Sequence, residues 1–168
     1  MKLAISSRGG KELDFTGIDF VKTDSVDIVH DLNSYPWPLA DNSVDEVNCT
    51  HTYSIIKDDK AFMAELYRIC KNDAIIKIIS PYYTSLRSFS NPDILRRVNE
   101  FTFVFYHSVF REAQKLDKLP FDFKVIGHGL QWLNPWEAKS EEAKEYAKTH
   151  YWNVVEDIVV HISPIKKV

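Results

Sequence analysis

The sequence predicts an α/β fold built around a mainly parallel sheet. Seven apolar runs have the length and composition of strands, and an amphipathic helix separates two of them. Several runs are nearly continuous rather than alternating, which is typical of strands covered on both faces. The chain has 168 residues, of which 45% are hydrophobic, so we expect a single domain over 1–168 with one sizeable core.

The predicted strands are rich in Val and Ile and end at polar residues. In chain order they are KLAIS, GIDFV, VDIVHDL, VDEVNCT, AIIKIIS, FKVIGHGL and VVEDIVVHISPI. The first two connections, RGGKELDFT and KTDS, are shorter than the dozen or so residues that a crossover helix usually needs. The sequence therefore predicts abbreviated helices in the amino-terminal half.

The clearest helical pattern lies between the fourth and fifth strands, over residues 58–73. Phe62, Leu66 and Ile69 recur at helical spacing. Asp58 or Asp59 can cap the beginning of this helix, and Asn72 lies near its expected end.

Two further helical patterns follow the fifth strand. Residues 99–116 are predicted to form one helix with Asn99 as its N-cap, and their many aromatic side chains would pack on the sheet or bury a face in a homodimer. Residues 134–152 are highly charged and predict either a solvent-facing insertion or a loosely packed helix before the final strand.

Composition limits the class of partner. The formal net charge of -3 argues against a broadly basic nucleic-acid-binding surface, so we expect no nucleic-acid partner. A local patch is the alternative, combining basic and aromatic side chains: Arg8, Lys11, Arg87, Arg96, Arg97, Tyr82, Tyr83 and Phe89.

Cysteine use and hydropathy bear on the compartment. Cys49 and Cys70 form no CxxC pair, so neither a disulfide framework nor a metal site is predicted. No stretch approaches the roughly 20 apolar residues that a bilayer crossing needs. We expect a cytoplasmic protein with reduced thiols and no membrane partner.

Polar residues follow five of the predicted strands, where open α/β sheets bind their ligands. They are Ser6 to Gly10, Asp19, His30 with Asp31, Thr50 with His51, and Ser80 to Tyr83. Glycines after a first strand let backbone amides approach a ligand, and an acid after the second strand can accept both hydroxyls of a ribose. Each residue also has a purely structural interpretation as a turn residue or a solvated strand end.

Four segments together resemble the small class I S-adenosylmethionine-dependent methyltransferases of the type 11 kind. They are KLAISSRGGKELDFTGIDF, VDIVHDLNSYPWPLADNSVDEVNCTH, FMAELYRICKNDAIIKIISPYY and FSNPDILRRVNEFTFVFY, and they cover most of the chain from Lys2 to about Tyr106. The resemblance implies a Rossmann-like, seven-stranded sheet whose last strand is antiparallel, with S-adenosylmethionine as cofactor.

The resemblance also implies where that cofactor would bind. Ser6, Ser7, Arg8 and Gly9 would line its methionine end, Asp19 would hold the ribose, and Asp31 with Leu32 would flank the adenine. Thr50 and His51 would form the floor near the sulfonium. His51 is the candidate catalytic base, and Tyr82 would border the methyl acceptor. Leu32 has the alternative role of a core residue, and His51 that of a strand-end cap.

The chain departs from the family pattern at these same places. Ser6 and Arg8 stand where glycines are usual. After His51 the chain reads Thr52 to Ile55 instead of presenting a Glu and a second His. Residues 91–94, Asn-Pro-Asp-Ile, replace an Asp-Pro-Thr-His sequence. The altered positions belong to the site rather than to the sheet.

Two functions are compatible with this pattern. The first is a divergent methyltransferase acting on an acceptor that the sequence does not identify. The second is a catalytically inactive binding or scaffolding domain in which cofactor affinity is lost. Arg8 favours the second, because a guanidinium near a cationic sulfonium is unfavourable unless it points to the cofactor carboxylate.

Overall fold

A computed structural model of the protein describes residues 1–6 and 10–166. Within these residues, seven strands form one mixed sheet. In chain order they are β1 (Lys2–Ile5), β2 (Phe15–Asp19), β3 (Ile28–Val29), β4 (Val44–Thr50), β5 (Cys70–Pro81), β6 (Phe123–Trp132) and β7 (Val155–Pro164). Across the sheet their order is β3-β2-β1-β4-β5-β7-β6.

Strand direction follows the expected plan. β1 to β5 pair with one another in parallel, whereas β7 is antiparallel to both of its neighbours, β5 and β6. The predicted α/β class, with a mostly parallel sheet and an antiparallel last strand, is confirmed. The amino-terminal end of β7 consequently lies at the same edge as the carboxyl ends of β1 to β5.

The amino-terminal connections are short and contain no helix in residues 10–14 or 20–27. The segment before β3 is fastened directly to β2, because the amide of Gly17 donates to the Asp27 carboxylate at 2.7 Å. In return, the amide of Asp27 donates to the carbonyl of Gly17 at 3.0 Å. Within the described residues, the prediction of abbreviated amino-terminal helices is confirmed.

In the described part of the chain, the helices all come after β4. Four are α-helices: α1 (Asp59–Ile69), α2 (Leu86–Ser90), α3 (Ser108–Ala113) and α4 (Glu141–His150). Three more, which are short 3-10 helices, cover Tyr53–Ile55, Thr102–Tyr106 and Trp136–Ala138. The charged pattern over 134–152 thus becomes α4 and a preceding 3-10 turn, and Ala147 is the only residue of α4 that is buried.

Helix α1 begins where its capping residue predicts. The Asp58 carboxylate accepts from the amide of Ala61 at 2.9 Å and satisfies one of the free donors of the first turn. The predicted end near Asn72 is wrong, because β5 begins at Cys70 with no loop between the two elements. Pairing of Cys70 with Val44 of the neighbouring strand overrides the local helix-stop signal.

The single helix predicted over 99–116 is also wrong. The chain is extended at His107, which separates the 3-10 helix Thr102–Tyr106 from α3. Asp122 causes this break from a distance, since its carboxylate accepts from both the amide and the hydroxyl of Ser108, at 2.8 and 2.6 Å. Asn99 caps only a local turn, through the amide of Phe101.

The core lies between the sheet and the elements that follow β4. Burial in β5 alternates, with Ile76 and Ile78 buried and Ile75 exposed, rather than covering both faces as its apolar run suggests. The few helices near this part of the sheet account for the difference. In the described part of the chain, no helix combines the length and the apolar character that a membrane crossing requires.

Candidate active site

The carboxyl ends of the parallel strands form one row. Ile5 pairs with Ile18 on one side and with Cys49 on the other, so Ser6, Asp19 and Thr50 follow at the same level of adjacent strands. The register of the sheet therefore brings together three of the polar residues that the sequence singled out. Of the glycine loop after β1, Ser7, Arg8 and Gly9 lie outside the described residues.

Asp19 is the most enclosed member of the row. Its side chain is 0% exposed, and one carboxylate oxygen accepts from the amide of Val21 at 3.2 Å. This hydrogen bond fixes the direction of the carboxylate at the end of β2. Ser6, on the adjacent strand end, has a positive φ of 60° and donates its amide to the carbonyl of Ile18 at 3.1 Å. The end of β1 is thus tied to the end of β2 immediately before Asp19.

Asp31 and Leu32 are placed differently. The Asp31 carboxylate accepts from the amide of Asn33 at 2.9 Å and from the hydroxyl of Ser34 at 3.0 Å. The Asn33 amide first, and then the Ser34 hydroxyl, hold the pKa of Asp31 below its usual value. Leu32 is buried and packs in the hydrophobic core, which matches the alternative structural interpretation of this residue.

His51 lies at the end of β4 in a strained conformation. Its φ is 53°, a left-handed value that is uncommon for a residue other than glycine, and its amide donates to the carbonyl of Ile79 at 2.8 Å. The ring nitrogen Nε2 lies 3.0 Å from Oδ2 of Asp157, near the beginning of β7. The antiparallel direction of β7 makes this contact possible across 106 residues of sequence.

Arg87 joins the same carboxylate from α2. Its Nη1 donates to Asp157 Oδ2 at 3.2 Å and to Glu156 Oε1 at 3.1 Å. The beginning of α2 is held in place by Ser85, whose hydroxyl accepts from the amide of Arg87, and by the side chain of Asn153, which accepts from the amide of Leu86. His51, Asp157 and Arg87 thus form one polar cluster.

A cavity of about 340 Å³ opens beside this cluster. It combines polar and apolar side chains from the ends of β4 and β5 and from α2 and the segment after it. The lining residues are His51, Ser54, Ile55, Pro81, Arg87, Ser90, Asn91 and Ile94. Its size lies at the lower end of the range typical of small-molecule sites.

Tyr82 does not line this cavity. It is buried, and its hydroxyl donates to both carboxylate oxygens of Glu100 at 3.1 Å. Burial, and then the Glu100 charge, raise the pKa of Tyr82 far above its usual value. The structure therefore gives Tyr82 a packing and hydrogen-bonding role and leaves His51 as the candidate base.

Sequence reasoning missed Asp157 and the position of Arg87. Asp157 is one of two adjacent acidic residues near the beginning of a mainly apolar strand, and an antiparallel last strand begins at the ligand-binding edge. Those two facts together are the signal that would have found it. In the sequence, Arg87 is one of the basic residues of the alternative nucleic-acid patch, and nothing in its local sequence indicates the contact with Asp157.

Residues 9–78 match the sequence profile of the methyltransferase domain family. The match covers β2, β3, β4 and α1 and ends within β5, and it confirms the resemblance inferred from the sequence. A search of curated proteins finds no match to the chain.

Several solved structures, among them structures of methyltransferases, share the fold over nearly the whole chain. An S-adenosylmethionine-dependent methyltransferase from Archaeoglobus fulgidus has a TM-score of 0.62 and 19% identity, covering 98% of this chain and 85% of its own. The YcgJ protein of Bacillus subtilis has a TM-score of 0.58 and 14% identity, over 99% and 92%. The structure of a Haloferax volcanii putative methyltransferase in complex with the Trm112 activator matches with a TM-score of 0.56 and 14% identity, over 99% and 82%. At these identities the likeness establishes the methyltransferase fold alone.

Proposed function

We propose that this methyltransferase-fold protein, taken as one domain over residues 1–168, binds S-adenosylmethionine and transfers its methyl group to an acceptor. The donor would lie along the row formed by Ser6, Asp19 and Thr50, and the acceptor would occupy the cavity beside His51. One observation carries the proposal. The strand-end row and the cavity adjoin at Thr50 and His51, so that a donor and an acceptor would meet there.

The chemistry of the row fits a ribose-bearing cofactor. A carboxylate at the end of β2 can accept hydrogen bonds from two neighbouring hydroxyl groups, and Asp19 is held in one orientation by the amide of Val21. Because Asp19 has no exposed surface, a ribose reaches it only after the residues that cover it move aside.

The bound cofactor would supply an electrophilic methyl group on a sulfonium, so the chain itself needs little acid-base machinery. Its residues would orient the acceptor, exclude water and accept one proton. His51 is the candidate acceptor of that proton, because its side chain is 34% exposed and lines the cavity.

Calorimetric titration with S-adenosylmethionine and with S-adenosylhomocysteine tests the cofactor part of the proposal. We expect micromolar affinity for both, about -8 kcal/mol. Asp19→Asn keeps an acceptor for the amide of Val21 but removes the negative charge, and we expect it to weaken binding at least tenfold. Asp24→Asn, an exposed change of the same kind in the loop after β2, is the matched control and should bind normally.

A second candidate function is a methyltransferase-like binding or scaffolding domain without cofactor. The complete burial of Asp19 favours it, as do the exposed side chains of Phe101, Phe105 and Val109, which leave apolar surface for a protein partner or a second copy. No heat at millimolar cofactor would support this alternative. Sedimentation analysis of the purified protein would then distinguish a homodimer from a monomer that needs another subunit.

A further inference from the structure

The pairing of His51 with Asp157 has the features of a base and its orienting carboxylate. Nε2 and Oδ2 are 3.0 Å apart, and the Asp157 side chain is only 5% exposed whereas the His51 ring is 34% exposed. A buried carboxylate that accepts from one nitrogen of an imidazole fixes both the orientation and the tautomer of the ring. The exposed part of His51 is then available to a molecule in the cavity.

The second ring nitrogen is the one that can take a proton. With Nε2 donating to Asp157, the neutral ring carries its proton on Nε2 and a lone pair on Nδ1. In residues 1–6 and 10–166, Nδ1 has no hydrogen-bond partner. The arrangement leaves a bare basic nitrogen beside the cavity.

The backbone strain at His51 also indicates a functional role for this residue. A left-handed φ of 53° at a histidine costs free energy, and such residues persist where the surroundings enforce them. Two contacts hold His51 in this conformation: its amide donates to the carbonyl of Ile79, and its ring is held by Asp157.

The cavity wall suits a polar molecule without a negative charge. The hydroxyl of Ser54 is buried in this wall and has no partner among the described residues, so a hydroxyl-bearing ligand could satisfy it. Arg87 is the cationic side chain of the wall, and it already pairs with both Glu156 and Asp157. An anion would therefore enter without a free counter-charge.

The sequence departures from the family pattern fall on this wall. Ser54 and Ile55 lie in the segment that lacks the expected Glu and second His, and Asn91 and Ile94 lie in the one that replaces Asp-Pro-Thr-His. The chain has thus changed its cavity while keeping the sheet that supports it.

We infer that His51, oriented by Asp157, is the general base for methylation of an uncharged hydroxyl acceptor in this cavity. The inference rests on the proposed function. The acceptor oxygen forms a bond to the methyl carbon as the carbon–sulfur bond of the donor breaks, with that bond's electron pair remaining on sulfur. The hydroxyl proton passes to Nδ1 of His51, and Asp157 stabilises the resulting imidazolium. A hydroxyl needs this help most, because a thiol ionises near a pH of about 8.5 without it.

The tautomer of His51 gives a test that needs no ligand. Long-range proton–nitrogen correlation spectra of the labelled protein report which ring nitrogen carries the proton. We expect Nε2–H and a bare Nδ1 in the wild type, and a loss of this preference in Asp157→Asn. Glu156→Gln also removes a partner of Arg87 but does not contact His51, and it should leave the signal unchanged. A wild-type ring protonated on Nδ1 at neutral pH would overturn the inference.

Small aromatic probes test the acceptor class once cofactor binding is established by calorimetry. With radiolabelled S-adenosylmethionine at pH 8, we expect methylation of phenol, and we expect His51→Gln to slow it about 10²-fold or more. Turnover of 4-nitrophenol, which is largely ionised at that pH, should depend far less on His51. His128→Gln, on the exposed side of β6, is the control for the substitution.

The outcomes separate the two proposals. Absence of cofactor binding overturns the proposed function and, with it, this inference. Cofactor binding without phenol methylation, or equal loss of phenol and 4-nitrophenol turnover in His51→Gln, overturns the base and its hydroxyl acceptor alone. Preferred methylation of aniline would assign a nitrogen acceptor instead.

Discussion

The carboxylate of Glu65, in α1, accepts a hydrogen bond of 2.7 Å from the backbone amide of Trp37, 28 residues earlier in the chain. Glu65 is buried, and Arg68 donates to both of its oxygens, at 2.6 and 3.0 Å. The loop before β4 is therefore fastened to α1 by one charged side chain, and Trp37 packs edge-on against Phe62 beside it.

We expect Glu65→Ala to lower the free energy of unfolding by about 2–4 kcal/mol, because it leaves the buried Trp37 amide without its acceptor and removes the Glu65 carboxylate from the acceptors of the partly buried Arg68 guanidinium. Urea denaturation measures this change. Glu142→Ala, an exposed substitution in α4, should stay within about 0.5 kcal/mol of the wild type. Equal stability of the two variants would mean that the contact contributes nothing to folding.

Arg96 fastens the segment that follows His51. Its Nη1 donates to the carbonyls of Tyr53 and Ile56, at 2.7 and 2.5 Å, and its Nη2 donates to that of Lys57 at 3.3 Å. We expect Arg96→Met to cost about 1–3 kcal/mol of stability and to speed amide hydrogen exchange in residues 53–57.

The neighbouring Arg97 provides the comparison. Its guanidinium lies 4.0 Å from the centre of the exposed Phe89 ring. Arg97→Met should therefore cost less than about 1 kcal/mol. Similar exchange rates in residues 53–57 of the two variants would contradict the assigned role of Arg96.

Gly10 has a φ of +109°, a conformation that side-chain-bearing residues rarely adopt, although no atom would clash with an added Cβ. We expect Gly10→Ala to destabilise the protein by about 1 kcal/mol through backbone strain alone, as measured by thermal denaturation. Gly129→Ala has the same open space without the positive φ, so it should be neutral or slightly stabilising. A stabilising Gly10→Ala would show that the loop relaxes to another conformation.

Asp45 makes the stability of the folded protein depend on pH below neutrality. Lys71 and then the amino terminus lower the pKa of its carboxyl from 3.8 to about 2 in the folded protein. Because the folded value is the lower one, the stabilisation is fully present above about pH 4 and is lost as pH falls toward 2. The stability difference between the wild type and Asp45→Asn should shrink over this window in urea titrations. A difference that stays constant from pH 6 to pH 2.5 would contradict the ion pair.

Local signals account for much of the fold that the sequence predicted. β4 is a short apolar run between polar residues, and α1 begins at an aspartate that caps it, so both were placed correctly. The end of α1 and the break at His107 were not, because pairing of Cys70 with Val44 and capping of Ser108 by Asp122 depend on residues distant in the sequence.

The candidate site likewise contains residues that the sequence could assign and residues that it could not. Asp19 and Thr50 lie at the ends of their own strands, so the strand pattern alone could assign them. The partner of His51 could not, because Asp157 comes from a strand that lies more than 100 residues later and runs in the opposite direction. The burial of Asp19 and Leu32 also depends on packing that no local pattern reports.

The reversed direction of β7 has a consequence for how such a chain can diverge. Under the proposed function, the donor half of the site is encoded in the first 51 residues, and the acceptor half is completed by Arg87 and Asp157. The long connection before β7, which carries α4, packs on the core through Ala147, and β7 itself pairs with β5 on one side and with β6 on the other. Substitutions in the segments that line the cavity can change what is modified, while the donor half stays unchanged.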